Sequence, residues 1–257
     1  MYPILVNFGS FSLNSYGLFV AIGFAVSMFY LLKRSKKRSS LISKDDLLNL
    51  IMGVIISAII GARLMFVIVE IEHINSFWDI FKVWQGGLVY YGGFIGSVIF
   101  FIAFALKKKI KILKLLDFFA PAIALGHFFG RLGCTGAGCC YGKPTDEAWG
   151  IVFTDPNSLA VLNTPLHPTQ LYEAFCNLLI FIFLNQYSKK PRKDGKVFAL
   201  YLISYSIIRF IIEFFRGDFR GEQIMSLSVS QFISVFLFIA GLCLYIKAAY
   251  NESARQN

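Results

Sequence analysis

Charged residues are scarce in this sequence. Asp, Glu, Lys and Arg make up 16% of its 257 residues, against about 25% in average soluble proteins. Hydrophobic residues reach 56%, and the mean hydropathy is +0.63. The net charge of +10 does not favour a nucleic-acid partner, because the basic residues stand in short blocks between apolar runs. This composition excludes an ordinary soluble domain and favours an integral membrane protein with no nucleic-acid partner.

Three further features are lacking. The first apolar run has no preceding basic segment of the kind that marks a signal peptide, since its basic cluster at 33–38 follows it, so we expect the run to remain as a span. Internal repeats and broken spans are not apparent, which disfavours a transporter. The cysteines have neither C-x2-C spacing nor nearby histidines, which makes them a poor metal signature.

The apolar residues form seven segments long enough to cross a hydrocarbon core, which takes about 20 residues. Eighteen of the 25 Lys and Arg residues lie in alternate loops and the C-terminal tail, and seven lie on the other side. The positive-inside rule then predicts an outer N-terminus and an inner C-terminus in a bacterial cytoplasmic (inner) membrane. We predict an all-α, multi-pass membrane protein with one polytopic domain over 1–257, whose spans are 16–32, 47–69, 88–106, 115–136, 168–187, 197–215 and 229–247.

Two connections on the outer side are longer than a simple turn. Residues 70–87 mix acids with Trp and Phe at helix-like spacing, which predicts an amphipathic arm in the membrane interface. Residues 138–167 are rich in Gly, Pro, Thr, Asn and Asp, which predicts a small outer-face head.

Arginines inside the predicted spans are the first candidates for function. Arg63, Arg131 and Arg209 lie in the outer halves of three spans, where an unpaired arginine is costly. Arg209 and Glu213 have i, i+4 spacing and can neutralise each other, while Arg216 follows one turn later. Alternatively, the guanidinium groups converge on a phosphate, which suits their planar fork of donors, and phospholipid headgroups supply phosphate at that depth.

Glycines, tyrosines and cysteines form the other candidate motifs. Gly92 and Gly93 open the third span, where small residues allow close helix packing, and Tyr91 precedes them. Cys134, Cys139 and Cys140 cluster in GCTGAGCC, where a catalytic thiol, a disulfide and simple small residues remain open alternatives.

The segment LHPTQLYEAF places His167, Gln170 and Glu173 near the outer start of the fifth span. Pro168 suits a helix N-terminus. Interfacial solvation alone does not require this group of hydrogen-bonding side chains.

Taken together, these blocks resemble the prolipoprotein diacylglyceryl transferase family over nearly the whole chain. The matching segments are SYGL (15–18), GAR (61–63), YYGGFIG (90–96), GRLG (130–133) with Gly142, HPTQLYE (167–173) and RFIIEFFRGD (209–218). The resemblance implies transfer of a diacylglyceryl group from phosphatidylglycerol to the lipobox cysteine thiol of a preprolipoprotein, with release of glycerol phosphate. It implies no metal or organic cofactor, and its expected partners are phosphatidylglycerol, the lipobox segment and membrane lipids.

The resemblance also distributes roles over the site. Catalytic roles are expected for Arg131, Arg209, Glu213, Tyr16 and Tyr91. Substrate-binding roles are expected for Arg63, Gly92, Gly93, Gly142, His167, Gln170 and Arg216. The residues themselves, and not the resemblance, suggest a thiol role for Cys134, Cys139 and Cys140.

The chain departs from the family pattern at the proton-handling positions. The family signature, Gly-Arg-x-Gly-Asn-Phe-x-Asn-x-Glu-x-x-Gly, has Asn, Asn and Glu where this chain has Cys134, Ala137 and Cys139, and the family has His in place of Tyr91. This indicates a divergent branch that keeps the donor lipid. Alternatives are a different acceptor, including a redox-linked nucleophile with Cys134 or Cys139, and a non-catalytic phospholipid-binding or translocating protein.

Overall fold

The fold was analysed in a computed structural model that describes residues 2–8, 11–37, 41–71, 76, 78, 87–218 and 227–253. Each of the seven predicted apolar segments coincides with one helix. The helices are α1 (Ser15–Lys37), α2 (Lys44–Val69), α3 (Tyr90–Lys107), α4 (Ile112–Ala137), α5 (Thr169–Tyr187), α6 (Lys196–Glu213) and α7 (Val229–Ser253). The predicted arm at 70–87 lies largely outside the described residues.

Five of these helices, α1 to α4 and α7, are long and apolar enough to cross a membrane. The other two carry buried polar side chains. On α5 these are Thr169, Gln170, Glu173 and Asn177, and on α6 they include Lys196 and Arg209. The prediction of a helical membrane protein is therefore confirmed at this coarser level.

Two short antiparallel strand pairs were missed by the all-α prediction. Strand β1 (Ile4–Phe8) pairs with β2 (Phe11–Asn14), with Val6 opposite Leu13. Each strand has five residues or fewer, too few for the period-two alternation that identifies a strand in sequence. The pair leads directly into α1, and the Ser15 amide donates to the Pro3 carbonyl at 2.9 Å.

The chain divides into two compact units, Met1–Leu31 with Leu116–Asn257, and Leu32–Leu115. In the second unit, α2 and α3 pack through small residues. A Cβ on Gly61 would collide with the Gly92 carbonyl, and a Cβ on Gly96 would collide with that of Ser57. Only glycine allows these backbones to approach so closely.

The core of the first unit lies between α4, α5 and α6. Its buried residues are Ala120, Ala124, Ile180, Leu184, Val197 and Tyr201. Helix α1 packs on α4 through glycine, since a Cβ on Gly23 would lie 2.7 Å from Phe129 Cβ. The Tyr30 hydroxyl donates to Asn185 Oδ1 at 2.9 Å and joins α1 to α5.

Residues 138–167 form a structured segment between α4 and α5. Strands β3 (Ile151–Val152) and β4 (Pro165–Leu166) pair in it. Phe153, Ala160 and Leu166 make its small apolar core. The segment places its two ends, at the end of α4 and the start of α5, beside each other.

The start of α6 is fixed by a carboxylate from another helix. Asp117 on α4 is buried and accepts the amides of Gly195 and Phe198, each at 2.7 Å. Gly195 has φ +94°, so its own backbone turns sharply just before the helix. This contact satisfies two of the amides that a helix start leaves without partners.

We predict that Asp117→Ala destabilises the protein by about 1.5–3 kcal/mol, the range for hydrogen bonds to a charged group. The measurement is the unfolding free energy of the purified protein in detergent. Asp146→Ala is the matched control, because Asp146 is exposed. Equal stability of the two variants would contradict this role.

Candidate active site

A buried carboxylate lies at the centre of the first unit's polar cluster. Glu173 on α5 is fully buried. Its Oε1 lies 2.7 Å from Arg131 Nη2 on α4, and its Oε2 lies 3.8 Å from Arg209 Nη1 and 4.0 Å from Arg216 Nη1. Three arginines, one on α4, one near the end of α6 and one just after it, therefore meet around one glutamate on α5.

Arg209 has a complete set of partners on its other side. Its Nη2 lies 2.8 Å from Glu213 Oε2, which confirms the predicted i, i+4 pair. The same nitrogen donates to Ser230 Oγ at 2.8 Å. Glu213 Oε1 in turn accepts the Ser228 hydroxyl at 2.9 Å. The start of α7 thus holds this ion pair in place.

Ser228 is itself fixed by a capping box. Its hydroxyl accepts the Gln231 amide at 3.2 Å, and Gln231 Oε1 accepts the Ser228 amide at 3.1 Å. This reciprocal pattern satisfies two amides at a helix start. The hydroxyl that supports Glu213 is therefore part of a rigid helix end.

Arg216 is held by the carboxylate two residues away. Its Nε and Nη2 donate to the two oxygens of Asp218 at 2.8 and 2.7 Å. Arg216 is buried, and such a two-point pair fixes the plane of the guanidinium. Burial lowers the pKa of Arg216, but the hydrogen bond to Asp218 and the negative charge at Cys140 outweigh it, so the net shift is upward.

Two guanidinium nitrogens near Glu173 have N–H groups available for further hydrogen bonds. Among the described residues, Arg209 Nη1 and Arg216 Nη1 are buried and have no hydrogen-bond acceptor. Their distances to Glu173 exceed the 2.7–3.2 Å range of an N–H···O bond. An anion oxygen between them would gain two charge-assisted hydrogen bonds.

The three clustered cysteines lie beside these arginines. Their Sγ atoms are all within 4.8 Å of one another, and none of the three forms a disulfide with a described residue. Cys140 has φ +63°. Hydrogen bonds from the Cys134 and Cys139 thiols lower the pKa of Cys140, burial opposes this, and the charges of Arg131 and Arg216 lower it further. The net shift is downward, towards a thiolate.

The start of α5 fixes the cysteine loop. Gln170 Nε2 donates to the Cys139 carbonyl at 2.9 Å, and Thr169 Oγ1 donates to the Cys140 carbonyl at 2.8 Å. Gln170, predicted to bind substrate, therefore has a backbone partner. Helix α5 begins directly after Pro168, as expected from the sequence.

Gly142 lies where two backbone segments cross. A Cβ at this position would collide with the His167 carbonyl and lie 2.9 Å from the Phe215 carbonyl. The Gly142 amide donates to the His167 carbonyl at 3.0 Å. Gly142 therefore joins the loop after α4 to the segments that carry His167 and Arg216.

Residues 3–247 match the family model described as prolipoprotein diacylglyceryl transferase. The chain belongs to the prolipoprotein diacylglyceryl transferase family. It is 42% identical over 95% of its length to the phosphatidylglycerol–prolipoprotein diacylglyceryl transferase of Clostridium tetani, and the match covers 97% of that protein. It is 38% identical to transferase 2 of Clostridium perfringens, over 90% of this chain and 89% of that one. The Bordetella bronchiseptica enzyme is 34% identical over 98% of this chain and 97% of its own.

Two further residues expected at the site of this transferase-family chain lie near the cluster. Tyr16 packs over α4, because a Cβ on Gly133 would lie 3.3 Å from its ring. His167 Nδ1 lies 3.3 Å from the Tyr172 hydroxyl, which accepts Trp149 Nε1 at 2.8 Å. His167 is thus oriented by aromatic neighbours.

The remaining expected site residues belong to the second unit, which is described by itself. Arg63 Nη1 donates to the Gly87 carbonyl at 3.0 Å, and its guanidinium lies 4.9 Å from the Phe66 ring. Gly92 and Gly93 lie at the α2–α3 contact. Tyr91 is 62% exposed. Substrate contacts of these residues stay predictions.

Glu173 is the main residue that received no role from sequence. The sequence singled it out only as one of the hydrogen-bonding side chains near the outer start of the fifth span. A signal was available, because Thr169, Glu173 and Asn177 recur every four residues and therefore share one helix face. A polar face on an otherwise apolar helix indicates buried partners, and all three residues are fully buried.

We predict that Gly142→Ala lowers stability by about 1–3 kcal/mol, the usual cost of an overpacked site. Gly130→Ala is the control from the same motif, since a Cβ there meets nothing within 4 Å. Thermal unfolding in detergent measures both. A harmless Gly142→Ala would show that the crossing tolerates a side chain.

Proposed function

We propose that this chain transfers a diacylglyceryl group from phosphatidylglycerol to the cysteine thiol of a preprolipoprotein lipobox. The acceptor sulfur attacks the phosphate-bearing carbon of the diacylated glycerol, not that of the headgroup glycerol. A C–S bond forms, the C–O bond to phosphate breaks, and glycerol phosphate leaves. Family membership over residues 3–247 and the phosphatidylglycerol–prolipoprotein diacylglyceryl transferases that are 34–42% identical to this chain support this activity.

The buried arginines are our proposed binding site for the headgroup phosphate. The single observation that carries this assignment is the pair of buried Nη1 donors on Arg209 and Arg216 beside Glu173. Donors fixed in advance around developing negative charge stabilise a leaving anion without reorganisation. Arg131 orients the cluster through its 2.7 Å pair with Glu173.

The carboxylates offset the positive charge of this site. Three arginines face Glu173, Glu213 and Asp218, so the six groups balance in formal charge. A balanced cluster is less costly to bury than isolated cations. It also releases glycerol phosphate more readily than a site with three unpaired positive charges, since tight product binding slows turnover.

Proton transfer from the acceptor thiol remains assigned to Tyr16, Tyr91 and Glu213 as candidates. Glu213 is engaged by Arg209 and Ser228. Substrate-binding roles are also proposed for Gly142, His167 and Gln170 in the first unit and, separately, for Arg63, Gly92 and Gly93 in the second unit. We further propose seven spans in one polytopic domain, an outer N-terminus, an interfacial arm at 70–87 and a head at 138–167 on the outer face of a bacterial cytoplasmic membrane.

The function is tested with purified protein, phosphatidylglycerol and a lipobox peptide. Lipidated peptide and released glycerol phosphate in equal amounts are expected. A peptide with Ser in place of the acceptor Cys serves as the negative control. Retained phosphatidylglycerol binding without lipidated peptide would reject the transferase and favour a different acceptor or a lipid-binding protein.

We predict that Arg209→Ala lowers the transfer rate at least about 10²–10³-fold, the loss typical when a donor to developing charge is removed. Arg131→Ala should also lower the rate strongly, because Glu173 loses its 2.7 Å partner and the cluster loses its orientation. Both variants should still insert into the membrane, because the apolar spans are unchanged. Initial rates of peptide lipidation provide the measurement.

Two controls separate this effect from a loss of charge alone. Lys189→Ala removes an exposed cation from the loop after α5 and should keep the wild-type rate. Arg131→Lys keeps the charge but loses the planar fork, so its rate should stay well below wild type. Full activity in either alanine variant at a buried arginine would contradict the phosphate site.

A further inference from the structure

We propose that Cys134, Cys139 and Cys140 bind a zinc ion that takes the acceptor thiol as its fourth ligand. Binding of the ion stands on the structure of the cysteine cluster alone. Its role in activating the acceptor rests on the proposed function.

The geometry of the three sulfurs suits a zinc ion. Zn–S bonds of about 2.3 Å at tetrahedral angles place sulfurs about 3.8 Å apart. The three Sγ atoms already lie within 4.8 Å of one another, so small side-chain rotations complete the ligand set. The linear spacing C-x4-C-C did not indicate this, because Cys134 belongs to the end of α4 and the other two follow the turn at Gly138, which has φ +73°.

Hydrogen bonds from α5 fix the backbone of the loop that carries Cys139 and Cys140. The carbonyls of Cys139 and Cys140 accept side-chain hydrogen bonds from Gln170 and Thr169 at 2.9 and 2.8 Å, and both donors are buried. Fixed backbone around a metal ligand lowers the entropy lost on binding, and such surrounding contacts strongly affect metal affinity.

The nearby charges favour the same occupant. A zinc ion with three thiolates carries a net charge of −1, and a fourth thiolate makes it −2. Arg131 lies three residues before Cys134 on α4, and the backbone of Arg216 forms a β-bridge with Gly142, two residues after Cys140. Two guanidinium groups thus lower the cost of accumulating negative sulfur ligands at this place.

The number of ligands points to activation of a thiol. Among the described residues, this group contains three ligand atoms and no fourth His, Asp or Glu. Structural zinc sites have four protein ligands, whereas catalytic ones keep a position open for substrate. The transfer reaction needs a thiolate, because that is the nucleophilic form of cysteine.

The step balances without another reactant. The acceptor thiol loses its proton on coordination, and the proton passes to the base among the candidates of the proposed function. The sulfur electron pair then forms the C–S bond, while the C–O bond electrons leave with glycerol phosphate. Nothing is oxidised or reduced.

Ion binding is tested without lipid or peptide. Reduced, chelator-stripped protein would be titrated with Zn²⁺, and with Co²⁺ as an absorbing substitute. We expect one ion per chain and sulfur-to-cobalt charge-transfer absorption. Cys134→Ser, Cys139→Ser and Cys140→Ser should each lose this absorption. The double variant Cys176→Ser/Cys243→Ser should keep it, because those cysteines lie apart from the cluster in α5 and α7.

The acceptor role has its own readout. A lipobox peptide added to the Co²⁺-loaded protein should increase the charge-transfer absorption, as a fourth sulfur joins the ion. The Ser-substituted peptide should leave the spectrum unchanged. This signal does not depend on turnover.

Three results would count against the proposal. Absence of stoichiometric ion uptake by the wild-type protein would overturn the site. A count of one reactive thiol instead of three in the freshly purified Cys176→Ser/Cys243→Ser variant would also overturn it, because the other two cysteines would then form a disulfide. Ion uptake with no response to the cysteine peptide would overturn the activating role. If the ion and the peptide thiol bind but no lipidated peptide forms, this inference is supported and the proposed transferase function fails.

Discussion

The buried carboxylate of Glu173 is the constraint on which the rest of the site depends. It lies at zero exposure with one arginine in contact and two others within 4.0 Å. A buried charge of either sign is costly without its partner. The arginines and Glu173 can therefore occupy the interior together at a much lower cost than either charge could alone. Positions from α4, α5 and the end of α6 are fixed by this one requirement.

The face of α5 that carries Glu173 also organises the neighbouring loop. Thr169 and Gln170 hold the cysteine loop through its carbonyls, and Asn177 donates to the Glu173 carbonyl at 2.8 Å. The start of α5 therefore both pairs with the arginines, through Glu173, and fixes the cysteine loop, through Thr169 and Gln170. This links the proposed phosphate site to the proposed thiol site through side chains four residues apart.

Local features of the sequence were enough for the helices and for one ion pair. The apolar runs are long and separated by basic blocks, so hydropathy located every helix, and the i, i+4 spacing revealed Arg209 and Glu213. The family followed from motifs spread over the whole chain. Each apolar run, ion-pair spacing and motif can be recognised within one continuous stretch of sequence.

Contacts between distant segments could not be obtained in this way. The pairing of Arg131 with Glu173 joins residues 42 positions apart, and nothing local indicates which acid meets which arginine. The three thiols converge because α4 ends and Gly138, with φ +73°, turns the chain back. The spacing of the cysteines along the sequence therefore does not indicate that their sulfurs are close. The strand pair at the N-terminus was too short to leave a periodic pattern.

A double-mutant cycle on Arg131 and Glu173 tests the central ion pair most directly. The unfolding free energy would be measured for wild type, Arg131→Gln, Glu173→Gln and the double variant. If the two groups support each other in the interior, the losses are strongly non-additive, with a coupling of about 1–3 kcal/mol. Losses that add to within about 0.5 kcal/mol would show that the two side chains are independent and that Glu173 does not organise the site.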